Sequence, residues 1–159
     1  MLVASVNSTY TDIITSVFSS AIAGKAWFAT GAGAFALLQI VTAARIFGKL
    51  PWAVRSSYFG VPVSRIHRWS GRLAFLCTLP VAFHCIFILG FQTTDTRVLA
   101  HSLLGSFFYG IFAVKVLVVR DHSLPGWALP TAGLTLASML GVLWLTSSLW
   151  YFTNVRVGF

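Results

Sequence analysis

Four histidines, His67, His84, His101 and His122, lie in one stretch of the chain, between Ser64 and His122, and the remainder holds none. The stretch consists of two long apolar runs on either side of a short polar turn, Gln92 to Arg97, and so reads as an antiparallel pair of membrane-spanning helices. His67 opens the first run and His84 lies in its distal half; His101 opens the second run and His122 closes it. Imidazole is costly to bury in hydrocarbon unless it binds something or finds a hydrogen-bond partner, so depth alone makes these residues functional candidates. Antiparallel helices sort them into two cross-helix pairs, His84 with His101 at one end and His67 with His122 at the other. Counted from the turn, His84 lies ~11 Å and His101 ~5 Å from the helix ends, an offset that a tilted flat ligand absorbs. Haem iron, held by histidine from either face, is the occupant such pairs suit.

Neighbouring residues extend the two candidate sites. His67 is followed four positions later by Gly71, and His101 by Gly105, which places each glycine on the same helix face as its histidine. Absence of a side chain there would clear room for a macrocycle, or let another helix pack closely. Arg68, Arg72, Lys115 and Arg120 are candidate partners for haem propionates, and headgroup contact explains the arginines equally. Ser70 and Ser102 could hydrogen-bond a quinone carbonyl, although serine in a membrane helix usually bonds its own preceding turn. The two pairs do not stack on one straight stripe. From His67 to His84 the rotation falls about 100° short of five turns, and from His101 to His122 about 60° short of six. Pro80, four residues before His84, frees a backbone carbonyl and predicts a kink that re-aims that histidine.

These residues need a scaffold, and composition says which kind. Hydrophobic residues make up 57% of 159 positions, only three are carboxylates, and the mean hydropathy is +0.84, so the chain reads as an integral membrane protein. Four runs are long enough to cross a bilayer, about 26–47, 67–91, 98–120 and 127–152, which predicts an all-α four-helix bundle over 25–159. Residues 1–24 read as a surface arm or a short amphipathic helix. In the first span a strip of small residues from Ala29 to Ala36 favours close packing, and the fourth span, with no charge and no histidine, reads as a packing wall.

The net charge of +8 gathers at span ends, not on a polar face interleaved with aromatics, which argues against nucleic acid. Arg45, Lys49, Arg55, Arg65, Arg68 and Arg72 surround the first connection and Arg120 ends the third span, whereas the second connection has only Arg97. Basic loops stay inside, so connections 48–66 and 121–126 are expected to be cytoplasmic and both termini outside, in a plasma (inner) membrane. Anionic lipid suits such a basic face. Cys77 and Cys85 are ~12 Å apart along one helix and cannot bridge each other.

With the residues in view, a resemblance emerges. Four spans with paired histidines on neighbouring helices resemble the small membrane b-type cytochromes, the cytochrome b561 and ferric-reductase-like group, over residues 64–122. The resemblance implies b haem, one or two, with His84–His101 and His67–His122 as axial pairs, and electrons moved within or across the membrane. The segment His67-Arg68-Trp69-Ser70-Gly71 is also similar to the HRxSG segment in the cytochrome b subunit of succinate dehydrogenase, which implies a quinone edge at Ser70 and Arg68 and a single haem. The expectation is therefore an electron-transfer protein or a small oxidoreductase subunit, working with a quinone or a redox partner protein, alone or in an oligomer or larger complex. The alternative is a non-redox transporter or assembly subunit whose histidines line a proton or metal path. A hydrolase is disfavoured, because no serine or cysteine has an acid-oriented histidine within reach: Asp12, Asp95 and Asp121 all lie at or beyond the membrane surface.

Overall fold

A computed structural model describes residues 2–50, 56–121 and 123–155, with side chains from residue 6 onward. The chain runs through a short helix α1 (Leu2–Thr15), a long helix α2 (Ala21–Ile46), and a hairpin of strands β1 (Ser57–Tyr58) and β2 (Val61–Pro62). Helix α3 (Val63–Phe83) continues as a π-helix, His84–Leu89. Helix α4 (Thr96–Arg120) returns, and α5 (Ala128–Trp144) is prolonged by a second π-helix, Leu145–Leu149, and a last α-helical turn, α6 (Trp150–Asn154). Four of these rods, Ala21–Ile46, Val63–Leu89, Thr96–Arg120 and Ala128–Asn154, are long and apolar enough to cross a membrane. The protein is an all-α four-helix bundle of the integral membrane class, and the large apolar side chains on its outside, among them Leu37, Leu76, Ile86, Phe107, Leu117 and Leu134, face where lipid would be.

Helix ends follow local chemistry and differ by a few residues from the hydropathy runs. Ser20 caps α2 by accepting from the Ala23 N–H, so the helix starts five residues before the apolar run and Lys25 sits inside it. Asp95 caps α4 in the same way through the Val98 N–H at 2.8 Å. Gly90, at φ 69°, ends the second rod. The hairpin turns through Phe59 (φ 51°) and Gly60 (φ 75°), a left-handed pair of the kind two-residue hairpins need, and it leaves the Phe59 ring fully exposed.

Small residues decide which helices meet. Ala26, Ala29 and Ala32 are buried on α2, Gly31 faces Cys77 of α3, and Gly33 faces Trp144 of α5. By contrast, α3 and α4 meet through large side chains: Phe75 stacks on Phe112 at 4.6 Å between centroids, and the Tyr109 hydroxyl donates to Thr78 Oγ1 at 3.0 Å. Helix α1 folds back over this bundle. Gly24 leaves room for Ile14, the Tyr10 hydroxyl donates to the Pro80 carbonyl at 3.1 Å, and Asn7 Nδ2 donates to the Phe87 carbonyl at 3.4 Å.

The bundle contains an inverted repeat. Across α2 and α3, Gly71 lies against Gln39 and His67 against Thr42; across α5 and α4, Gly105 lies against Leu143 and His101 against Thr146. Positions 67, 71, 75 and 78 of α3 correspond to 101, 105, 109 and 112 of α4, always 34 residues on, and 39 and 42 of α2 to 143 and 146 of α5, always 104 on. Under that correspondence the Phe75–Phe112 stack maps onto the Thr78–Tyr109 contact, so the residue pattern is locally pseudo-symmetric about the α3–α4 seam.

Candidate histidine site

At the end of the bundle that carries the 90–95 turn, His84 is 2% exposed, and neither of its ring nitrogens has a hydrogen-bond partner. A buried imidazole with both nitrogens unsatisfied is expensive and calls for an explanation. It also opens a π-helical segment, a distortion that recurs at functional sites. Pro80 contributes here: its carbonyl accepts both the His84 backbone N–H and the Tyr10 hydroxyl, and the Tyr10 ring lies 5.9 Å from the imidazole, so α1 roofs His84.

His101 approaches the same region from α4. Its Nδ1 is 3.0 Å from Thr146 Oγ1. The Thr146 hydroxyl proton is directed at the Val142 and Leu143 carbonyls, at 2.7 and 3.2 Å, so the threonine oxygen accepts and His101 Nδ1–H donates. Neutral imidazole has one N–H, which leaves Nε2 unprotonated; the thiol of Cys85, the residue next to His84, lies 4.0 Å away and donates weakly to it. Thr146 itself belongs to the second π-helix, and its carbonyl is held by Arg97 Nη1 at 2.6 Å. The guanidinium stacks over Trp150 at 4.6 Å and pairs with Asp95 at 3.7 Å. Lys25 of α2 acts electrostatically on both His84 and His101, and Arg97 on His101.

The opposite end repeats part of this plan. His67 Nδ1 lies 2.8 Å from Thr42 Oγ1, whose proton is directed at the Leu38 and Gln39 carbonyls at 2.6 and 3.2 Å, so His67 too donates from Nδ1 and keeps Nε2 bare. The Gln39 amide donates to the His67 carbonyl and to Ser70 Oγ. Ser70 is buried and donates to the Ile66 carbonyl at 2.8 Å, the back-bond expected of a membrane serine. The space beside Gly71 is taken by the Gln39 side chain, whereas Gly105 has Leu143 at ordinary contact distance. Lys115 lines a central cavity of about 70 Å³ with Gln39, Gly71, Phe75, Thr78 and Phe112, room for about two water molecules. Arg68 and Arg72 are exposed, Arg72 lying over the Trp69 ring at 4.8 Å, away from that cavity. His122 lies outside the described residues.

The structure thus brings together His84, His101 and Cys85 at one end, His67, Ser70 and Gly71 at the other, and carries Arg68 and Arg72 on an outer face. Among the described residues no group of three or more His, Cys, Asp or Glu side chains could hold a bare metal ion. Two imidazoles with no carboxylate suit instead an iron whose other ligands come with a macrocycle, and the unpartnered His84 ring fits that need. The working partners of these histidines, Thr42, Thr146, Gln39, Arg97, Lys25 and Tyr10, carry no signal in the sequence beyond their type. No curated protein and no solved structure matches the chain. The profile of a family described as of unknown function, DUF6529, matches residues 2–159, and the chain belongs to that family.

Proposed function

We propose that the protein is a membrane b-type cytochrome that holds haem between α3 and α4, with His84 and His101 as the axial pair. The observation that carries this reading is the His84 ring, buried in the bundle with both nitrogens unpartnered, at the same end as His101, whose Nε2 faces the thiol of Cys85, the residue next to His84. Bound there, haem supplies reversible one-electron chemistry. The chain's own residues supply the rest. His84 and His101 would hold the iron, and with two histidine ligands the group would supply electron transfer, not oxygen activation. Tyr10 and α1 keep water from His84, and a dry setting is one of the levers on haem potential. Lys25 and Arg97, whose charges act on His84 and His101, would be the partners for the propionates, in place of Arg68 and Arg72, which are exposed at the other end. A quinone or a redox protein is the exchange partner, in the plasma membrane, with both termini outside.

Protein purified in detergent from haem-replete cells should be red and give the sharp reduced-minus-oxidised bands of six-coordinate b haem. His84→Ala and His101→Ala should each remove them. A colourless wild-type preparation would overturn the reading and leave the histidines as the lining of a proton path.

A further inference from the structure

We infer that Thr42 and Thr146 are positioning residues, which hold His67 and His101 in the one tautomer able to ligate iron through Nε2. The inference rests on the cytochrome reading. It starts from the direction of two hydroxyl protons. Thr146 and Thr42 each direct theirs at two carbonyls of their own preceding turn, so toward the imidazole each can only accept. Each histidine then donates from Nδ1, with the backbone carbonyl of Leu143 or Gln39 on the same neighbouring helix as a second acceptor beside the threonine, and its Nε2 lone pair faces away from that helix. Ligating histidines generally donate their second N–H to an acceptor that sets ring orientation and basicity, and here a threonine does so without bringing a charge into the membrane.

The arrangement occurs twice, in corresponding positions of the inverted repeat. In each half the threonine is three residues beyond the side chain that faces a glycine, Gln39 or Leu143, and the glycine is four residues beyond the histidine. Gly71 makes room for the Gln39 side chain on the threonine-bearing helix, whereas at Gly105 an added methyl group would meet Leu143 at ordinary contact distance. His84 has no such partner and no counterpart in the repeat: the position 34 residues on is Val118. The two threonine-held histidines are thus oriented before any ligand arrives, while His84 takes its orientation from the ligand.

The test uses full-length protein in detergent, first haem-free and then titrated with haemin. In haem-free wild type carrying 15N-labelled histidine, the ring shifts of His101 and His67 should report protonated Nδ1 and bare Nε2. Thr146→Val, of the same shape without the acceptor, should turn His101 to a mixture of tautomers and leave His67 unchanged, which also shows that the bundle has folded; Thr42→Val should do the reverse, and Thr146→Ser should restore the wild-type shifts. On titration, Thr146→Val should bind haemin ~10–100-fold more weakly and at a higher midpoint potential, with recovery in Thr146→Ser. If wild type takes up haemin while Thr146→Val matches it in ring shifts, affinity and potential, the positioning role is refuted and the cytochrome reading stands. If wild type takes up no haemin, it is the cytochrome reading that falls.

Discussion

Gly71 and Gly105 stand in equivalent positions, four residues after a histidine, yet a methyl group would fare differently at each. At Gly71 an added Cβ would come within 3.1 Å of Gln39 Oε1 and 3.4 Å of its Nε2, so the amide would have to leave Ser70 and the His67 carbonyl. At Gly105 the nearest atom, Leu143 Cδ2, would be 3.9 Å away, an ordinary contact. Gly71→Ala should therefore cost ~1–3 kcal/mol, as overpacking does, and Gly105→Ala less than about 0.5 kcal/mol; apparent unfolding midpoints in detergent compare them. Equal losses would contradict the assignment of Gly71 to Gln39. The pairing of histidine with glycine was legible in the sequence because both halves repeat it. Its cause was not, since a glycine seen alone does not say which side chain will lie over it. Thr42 and Thr146 were invisible for a related reason: threonine in an apolar run normally bonds its own helix, and whether it also meets an imidazole depends on inter-helix register.

Helix α1 is the element on which sequence and structure differ most in consequence. Its sequence predicts a surface arm or a short amphipathic helix; in the structure it is a helix with Val6 and Ile13 exposed, whose other face, through Tyr10 and Ile14, closes over His84 and Gly24. Burial first, and then the neighbouring Cys85, raise the Tyr10 phenol above its ordinary 10.0. A group whose folded value is raised contributes its full stability below the unfolded value and loses it as pH rises through the folded one. The docking of α1 should accordingly be constant up to about pH 10 and weaken above it. Tyr10→Phe should remove that alkaline loss and cost about 1 kcal/mol from the hydroxyl bond to the Pro80 carbonyl. Amide exchange of residues 6–15 against pH follows both effects, and an identical alkaline loss in the variant would exclude Tyr10 as its source. The two π-helical segments were equally out of reach of a sequence reading. Pro80 marks a disturbance, but Leu145–Leu149 has no proline, and its geometry accompanies a carbonyl bonded to Arg97 on another helix.

For the molecule as a whole, the charge distribution and the inverted repeat point in different directions, and the difference decides orientation. The local pseudo-symmetry places a histidine, a glycine and a threonine alike toward each end, so that pattern gives neither face a reason to be cytoplasmic. Charge breaks that equivalence. Arg45, Lys49, Arg65, Arg68, Arg72 and Arg120 gather at the end with the hairpin, against Lys25 and Arg97 at the other, and four spans return the chain to its starting side. Retention of basic loops predicts the hairpin end, with His67, in the cytoplasm, and His84, His101 and both termini outside. Alkaline phosphatase fused after Phe159 should be active and the same enzyme inserted at Ser123 inactive, while the single cysteine introduced by Thr94→Cys should react with an impermeant maleimide in intact cells. The reverse pattern would place His84 and His101 at the cytoplasmic face, so that the electrons they are proposed to carry would be exchanged inside the cell. Replacing Arg45, Lys49 and Arg65 by glutamine while adding lysines to the 90–95 turn should shift part of the population to that reversed state, because it moves the balance of cations toward the other end.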